Sequence, residues 1–137
     1  MPSASGSFIG KTNSQAMVSL KDAPDHEMSV IEVTGPQTSS DPLWNGATVS
    51  YWGAADLVAG SGTQIGYFMN RHPNGDIDRG TFAGRITTVG GAVTMEGSWK
   101  YAGGTGAFAR ISGGGTYKGR ITPTEVQTSW EGTYQLG

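Results

Sequence analysis

Gly80-Thr81-Phe82-Ala83-Gly84-Arg85-Ile86-Thr87 returns further along the chain as Gly115-Thr116-Tyr117-Lys118-Gly119-Arg120-Ile121-Thr122. Gly97-Ser98-Trp99 lies between the two copies, and Gly132-Thr133-Tyr134 follows them. A glycine, a small hydroxyl residue and an aromatic therefore recur at spacings of 17, 18 and 17. That period matches one strand of about nine or ten residues plus its connection. Thr88-Val89-Gly90-Gly91 and Gly103-Gly104-Thr105-Gly106 supply the glycines that tight turns need for positive φ. A glycine inside a strand permits the bend or bulge that a small closed sheet requires.

Working outward from the repeat, strands are expected at Asp78 to Thr88, Ala92 to Tyr101, Gly114 to Ile121 and Glu125 to Leu136. Pro123 falls in the last connection, where a missing N–H is harmless. Upstream, strands are expected at Phe8 to Leu20, His26 to Thr34, Ala47 to Leu57 and Thr63 to Arg71. A twelve-residue loop, Gly35 to Gly46, separates the second from the third. No sustained 3.6-residue apolar period competes with this reading. The fold class predicted is all-β, a single domain over residues 1–137. Its architecture is a small antiparallel up-and-down barrel of about eight strands, because closure removes exposed edges.

Composition agrees. The 137 residues include 23 glycines and no cysteine. Glycine disfavours helices, and the β-branched and aromatic residues suit strands. A chain of this length buries about two-thirds of its unfolded surface and can form a core without staples. The absence of cysteine removes disulfides and thiolate metal sites. The formal charge of −2 provides no field for nucleic acid. The N-terminal segment lacks the basic start and apolar run of a secretory signal, and no stretch approaches the ~18 apolar residues of a membrane helix. A cytoplasmic protein without membrane or nucleic-acid partners is expected.

Several motifs lead nowhere. Gly104-Thr105-Gly106-Ala107-Phe108-Ala109 fits a dinucleotide fingerprint formally, but no amphipathic helix follows to hold a pyrophosphate. The two histidines are distant in sequence and show no metal-ligand spacing. No Gly-x-Ser-x-Gly elbow is present. Neither metal nor cofactor is expected.

The stretch Ser98-Trp99-Lys100-Tyr101-Ala102-Gly103-Gly104-Thr105-Gly106-Ala107-Phe108-Ala109-Arg110-Ile111-Ser112-Gly113 resembles a signature of the allene oxide cyclase-like barrels. Plant dirigent proteins carry a similar Gly-Gly-Thr-Gly-x-Phe turn. The resemblance spans about Val30 to Leu136. It implies an eight-stranded barrel, usually trimeric, with an apolar cavity that guides cyclisation or coupling without a cofactor. Ile31-Glu32-Val33-Thr34 is similar to a Tyr-Glu-Ile-Asn segment of the cyclases, which places Glu32 on their glutamate. Thr34 stands where they have asparagine.

Strand alternation puts Met28, Val30, Glu32 and Thr34 on one face and Ser29, Ile31 and Val33 on the other. If the first set faces the lumen, burial would favour the neutral form of Glu32 and suit it to proton transfer. If the second set does, Glu32 is a surface residue. Asn70 is the second catalytic candidate, beside Arg71 and His72 at a strand end. Val30, Thr34, Trp44, Tyr51, Tyr67, Phe82 and Trp99 are the candidate ligand contacts. Trp44, with Leu43, either rims the pocket, anchors its long loop or enters a subunit contact. Parity sends one of Tyr51 and Trp52, and one of Tyr67 and Phe68, outward. These residues suit a small hydrophobic ligand in a homo-oligomer, a trimer from the resemblance. Three functions remain open: a cofactor-independent isomerase, cyclase or lyase, a non-catalytic carrier, and a structural barrel with a filled lumen. An ionisable group beside an open cavity would favour the first, and an open cavity without one the second.

Overall fold

Each Gly-hydroxyl-aromatic triplet runs in, out, in along its strand. The glycine and the aromatic face the interior and the hydroxyl faces solvent, as period-two alternation requires. A Cβ on Gly66 would come within 2.6 Å of the Phe82 ring, and one on Gly97 within 2.6 Å of the Tyr117 hydroxyl oxygen. Gly66 pairs with Phe82, and Gly97 with Tyr117, across neighbouring strands. Glycine on one strand thus leaves the space into which the ring of the next strand leans. The repeat is a packing device of a tightly curved wall.

The computed structural model describes residues 2–137. It contains β1 (Ser3–Leu20), β2 (His26–Ser39), β3 (Thr48–Val58), β4 (Ser61–Arg71), β5 (Ile77–Val89), β6 (Ala92–Gly104), β7 (Ser112–Ile121) and β8 (Val126–Gln135). These eight strands form one closed barrel in sequence order, every neighbour antiparallel, with β8 pairing back onto β1. The four triplets lie on β5, β6, β7 and β8. Gly90 and Gly91, both at positive φ, make the two-residue turn between Val89 and Ala92, the primed geometry that matches strand twist.

The expected twelve-residue loop is a correction. β2 continues through Gly35-Pro36 to Ser39, so only residues 40–47 connect it to β3. Gly35-Pro36 reads as a break, yet Pro36 pairs with Thr48 of β3 while the β1–β2 ladder skips this dipeptide. The missing proline N–H therefore falls in a gap of the ladder. Gly35 also lies directly against the backbone of Ile9, where no side chain would fit.

The two barrel ends are packed differently. At one end Val33, Ala55, Ile86 and Val126 form an aliphatic cluster, joined by Ile31, Leu57, Val93 and Ile121. At the other, Ala4, Trp44, Phe108, Ile111 and Tyr134 form a plug. Phe108 reaches it from a short 3-10 turn, Gly106–Phe108. Thr105 holds that turn to β5: its N–H donates to the Ile77 carbonyl at 2.9 Å, and its hydroxyl oxygen accepts the Ile77 N–H at 3.0 Å. The Gly-Gly-Thr-Gly-x-Phe signature thus serves as an end cap. Among the described residues no helix is long and apolar enough to cross a membrane.

Candidate functional site

Between the two packed ends lies a cavity of about 80 Å³. Its wall is mainly aromatic, with Phe8, Tyr51, Phe68, Phe82, Trp99, Tyr101, Tyr117 and Trp130. The rings meet edge to face, as in Tyr51 against Phe82 at 5.6 Å between centroids and Phe82 against Tyr117 at 5.7 Å. Such contacts set positive ring edges against negative faces. Four uncharged polar side chains, Gln37, Gln64, Asn70 and Thr128, complete the lining with Val49 and Met95.

No Asp, Glu, His, Lys or Arg touches this space. Its titratable groups are tyrosines. Burial pushes the Tyr51, Tyr101 and Tyr117 hydroxyls above the usual phenol value. For Tyr101 the nearby Asp78 adds to the effect, and for Tyr117 a hydrogen bond from Gln64 opposes it. The cavity is therefore neutral over the physiological range, and its tyrosines act as O–H donors and acceptors.

The polar residues are fixed by a buried network towards the plug. Asp78, fully buried, accepts hydrogen bonds from Trp44 Nε1 at 3.0 Å and Asn70 Nδ2 at 2.8 Å, and His72 Nε2 lies 2.7 Å away. Gln37 Nε2 donates to Asn70 Oδ1 at 3.2 Å, and Trp130 Nε1 donates to Gln37 Oε1 at 2.9 Å. His72 stacks on Phe108 at 4.2 Å. Tyr134, against Trp44, donates to Asp41 Oδ2 at 2.7 Å, and its pKa is pushed up to about 12 by burial and that carboxylate. Neither His72 nor Asp78 is on the cavity wall; the pair ties together the plug end of the barrel.

Of the residues chosen from the sequence, Tyr51, Phe82, Trp99 and Asn70 are on the cavity wall. Glu32 is not, and this corrects the lumen reading. Val33 is fully buried and Ile31 packs on the core, so Glu32 faces outward. There its Oε2 accepts a hydrogen bond from Trp52 Nε1 at 2.7 Å. Val30 and Tyr67 are also on the outer wall, 57% and 66% exposed. Thr34 joins them, bonded to Asn13 Nδ2 at 2.7 Å. Trp44 is completely buried, but in the plug, where it anchors its loop. Asn70 reaches the cavity with its amide engaged by Asp78 and Gln37, as a positioning element without a proton to transfer.

Asp78, Gln37, Gln64 and Thr128 were not singled out from the sequence. Asp78 shares the parity of Gly80 and Phe82 and could have been placed inside on that ground. Its position beside a polar turn made solvent exposure the natural reading. Among the described residues, no three His, Asp or Glu side chains gather as a metal site. Comparison of the chain with protein-family models, curated proteins and solved structures returns no match.

Proposed function

We propose that the protein is a non-catalytic binding protein that holds a small, largely apolar molecule inside its barrel. The observation that carries this reading is a cavity with aromatic walls and no charged side chain. The isomerase, cyclase or lyase reading took Glu32 as its acid/base group, and with Glu32 on the outer wall the titratable groups left beside the space are tyrosine hydroxyls that burial keeps protonated. The resemblance to allene oxide cyclase-like barrels supports an apolar pocket and contributes no catalytic group. A wholly filled lumen would leave no such space. A pocket that admits benzene measures about 150 Å³, so a cavity of about 80 Å³ fits compounds of a few non-hydrogen atoms.

Trp99 and Trp130 line the cavity and report on its contents. Titration with 2-methyl-1-butene is expected to change their fluorescence saturably and to raise the melting temperature by mass action. Absence of saturable binding by both 2-methyl-1-butene and its ketone counterpart 2-butanone, up to solubility, overturns the reading.

Self-association accompanies this function in our reading. The outer wall of β2, β3 and β4 presents Val30, Trp52, Ile65 and Tyr67, 37–66% exposed. Glu32, Trp52, Tyr67, Thr81 and Lys100 form one register row across it. The row is acidic at the β2 end and basic at the β6 end. A second copy of the chain, turned about a common axis, matches both its apolar middle and its opposed charges. The trimer implied by the family resemblance is one closed arrangement of this kind.

A further inference from the structure

Tyr51 lines the cavity and is only 7% exposed. Burial and the neighbouring Tyr117 are what perturb its hydroxyl, and no hydrogen bond to the rest of the protein is among the causes. Among the described residues the one fully enclosed side-chain oxygen without a partner is Thr128 Oγ1, also on this wall; the Tyr51 O–H instead opens onto the cavity, where it is free to meet a ligand. Tyr117 stands on the same wall, and its oxygen accepts from Gln64 Nε2 at 2.6 Å. A phenol that accepts in this way still has its own proton to donate. Phe82 packs edge-on against both tyrosine rings. The two hydroxyls thus belong to one aromatic cluster, with two O–H donors in a space that contains no charge.

We propose that the lumen selects small neutral molecules bearing a carbonyl oxygen, which accepts hydrogen bonds from Tyr51 and Tyr117 while the apolar remainder lies against the aromatic wall. This rests on the lumen being a binding site and adds the class of molecule bound. A carbonyl oxygen has two lone pairs and no proton, so it satisfies two donors at once. A hydrocarbon leaves both unpaired. A carboxylate would be desolvated with no cation to meet it. Gln64 holds the Tyr117 hydroxyl in place, so the arrangement exists before the ligand arrives.

The test uses two molecules of the same shape, 2-butanone and 2-methyl-1-butene, which differ only in C=O against C=CH2. Binding is followed by NMR titration of the wild-type protein, Tyr51→Phe and Tyr117→Phe. Each substitution is expected to weaken 2-butanone about five- to tenfold, the size of one hydrogen bond. It should change 2-methyl-1-butene less than twofold. Tyr117→Phe also strips Gln64 of a partner and could unfold the barrel. Tyr51→Phe removes a hydroxyl with no protein partner, and its melting temperature is expected to equal or exceed that of the wild type. Equal effects on the two probes, or no effect on 2-butanone, overturn the proposal. If the alkene binds the wild-type protein and the ketone does not, the carbonyl preference is wrong and the lumen site stands. If neither binds, both fall.

Discussion

Asp78 shows how much of this fold can rest on one side chain. Three donors converge on a carboxylate with no exposure: the Trp44 indole, the Asn70 amide and the His72 imidazole. Each comes from a different part of the barrel end, so the carboxylate ties the β2–β3 connection, β4 and the β4–β5 turn together. Replacing Asp78 by alanine strands all three donors away from water. A buried donor left unpaired costs about 1–3 kcal/mol. Relaxation of the plug offsets part of the sum, and the expected loss is about 3–5 kcal/mol. Urea unfolding of Asp78→Ala should show it as a lower midpoint. A loss below about 1 kcal/mol would mean that the network is incidental to the plug. Glu32 is the opposite case. Its carboxylate binds one indole proton on the outer wall, and parity alone could not decide between that position and the lumen, because Ile31 and Val33 flank it with equally apolar neighbours.

The β1–β2 hairpin extends past the aliphatic end, and His26 fastens it to the wall. Its Nδ1 lies 2.7 Å from Asp22 in the hairpin turn, and its Nε2 lies 2.6 Å from Asp56 on β3. The Asp22 hydrogen bond, then that of Asp56, raises the His26 pKa above 6.5. His26 in turn lowers the Asp22 pKa below 3.8. A raised histidine pKa stabilises the fold fully below 6.5, and that contribution is lost as pH rises through the folded value. The lowered Asp22 pKa contributes above 3.8 and is lost as pH falls through its own folded value. The melting temperature of the wild type should therefore exceed that of His26→Gln most between pH 3.8 and 6.5, with the two curves converging on the alkaline side. An equal gap at pH 5.5 and pH 9 would remove the charged bridge from the account. Elements of this kind were legible in the sequence, since turn glycines and alternation place most strand ends within three residues. The wall residues Tyr51, Phe82 and Trp99 were legible too, as inward aromatics. The two ends were not, because a plug built from Trp44, Phe108 and Tyr134 brings together residues that no local period relates.

At the scale of the whole molecule, the barrel has a cavity wall without charged side chains and an exterior that is unevenly apolar. Ile65 and Tyr67, on the outer face of β4, are 62% and 66% exposed. They stand beside Val30 on β2 and Trp52 on β3, with Trp52 held in position by Glu32. These residues form the surface proposed above for self-association, since exposed apolar patches suit protein contacts and Trp and Tyr anchor them. If the occupant is a second copy, sedimentation of the wild-type protein at micromolar concentration will give a species at a multiple of 14.3 kDa. Ile65→Lys places a charge in the middle of the patch without touching the cavity wall. It is expected to shift the equilibrium to monomer, with the cavity still able to bind 2-methyl-1-butene. Lys100→Glu together with Glu32→Lys reverses both ends of the register row while keeping their sum, and is expected to retain assembly where either change alone weakens it. Rescue by the double change tests whether the acidic end of one copy meets the basic end of the next. A wild-type protein that sediments only at 14.3 kDa overturns self-association altogether.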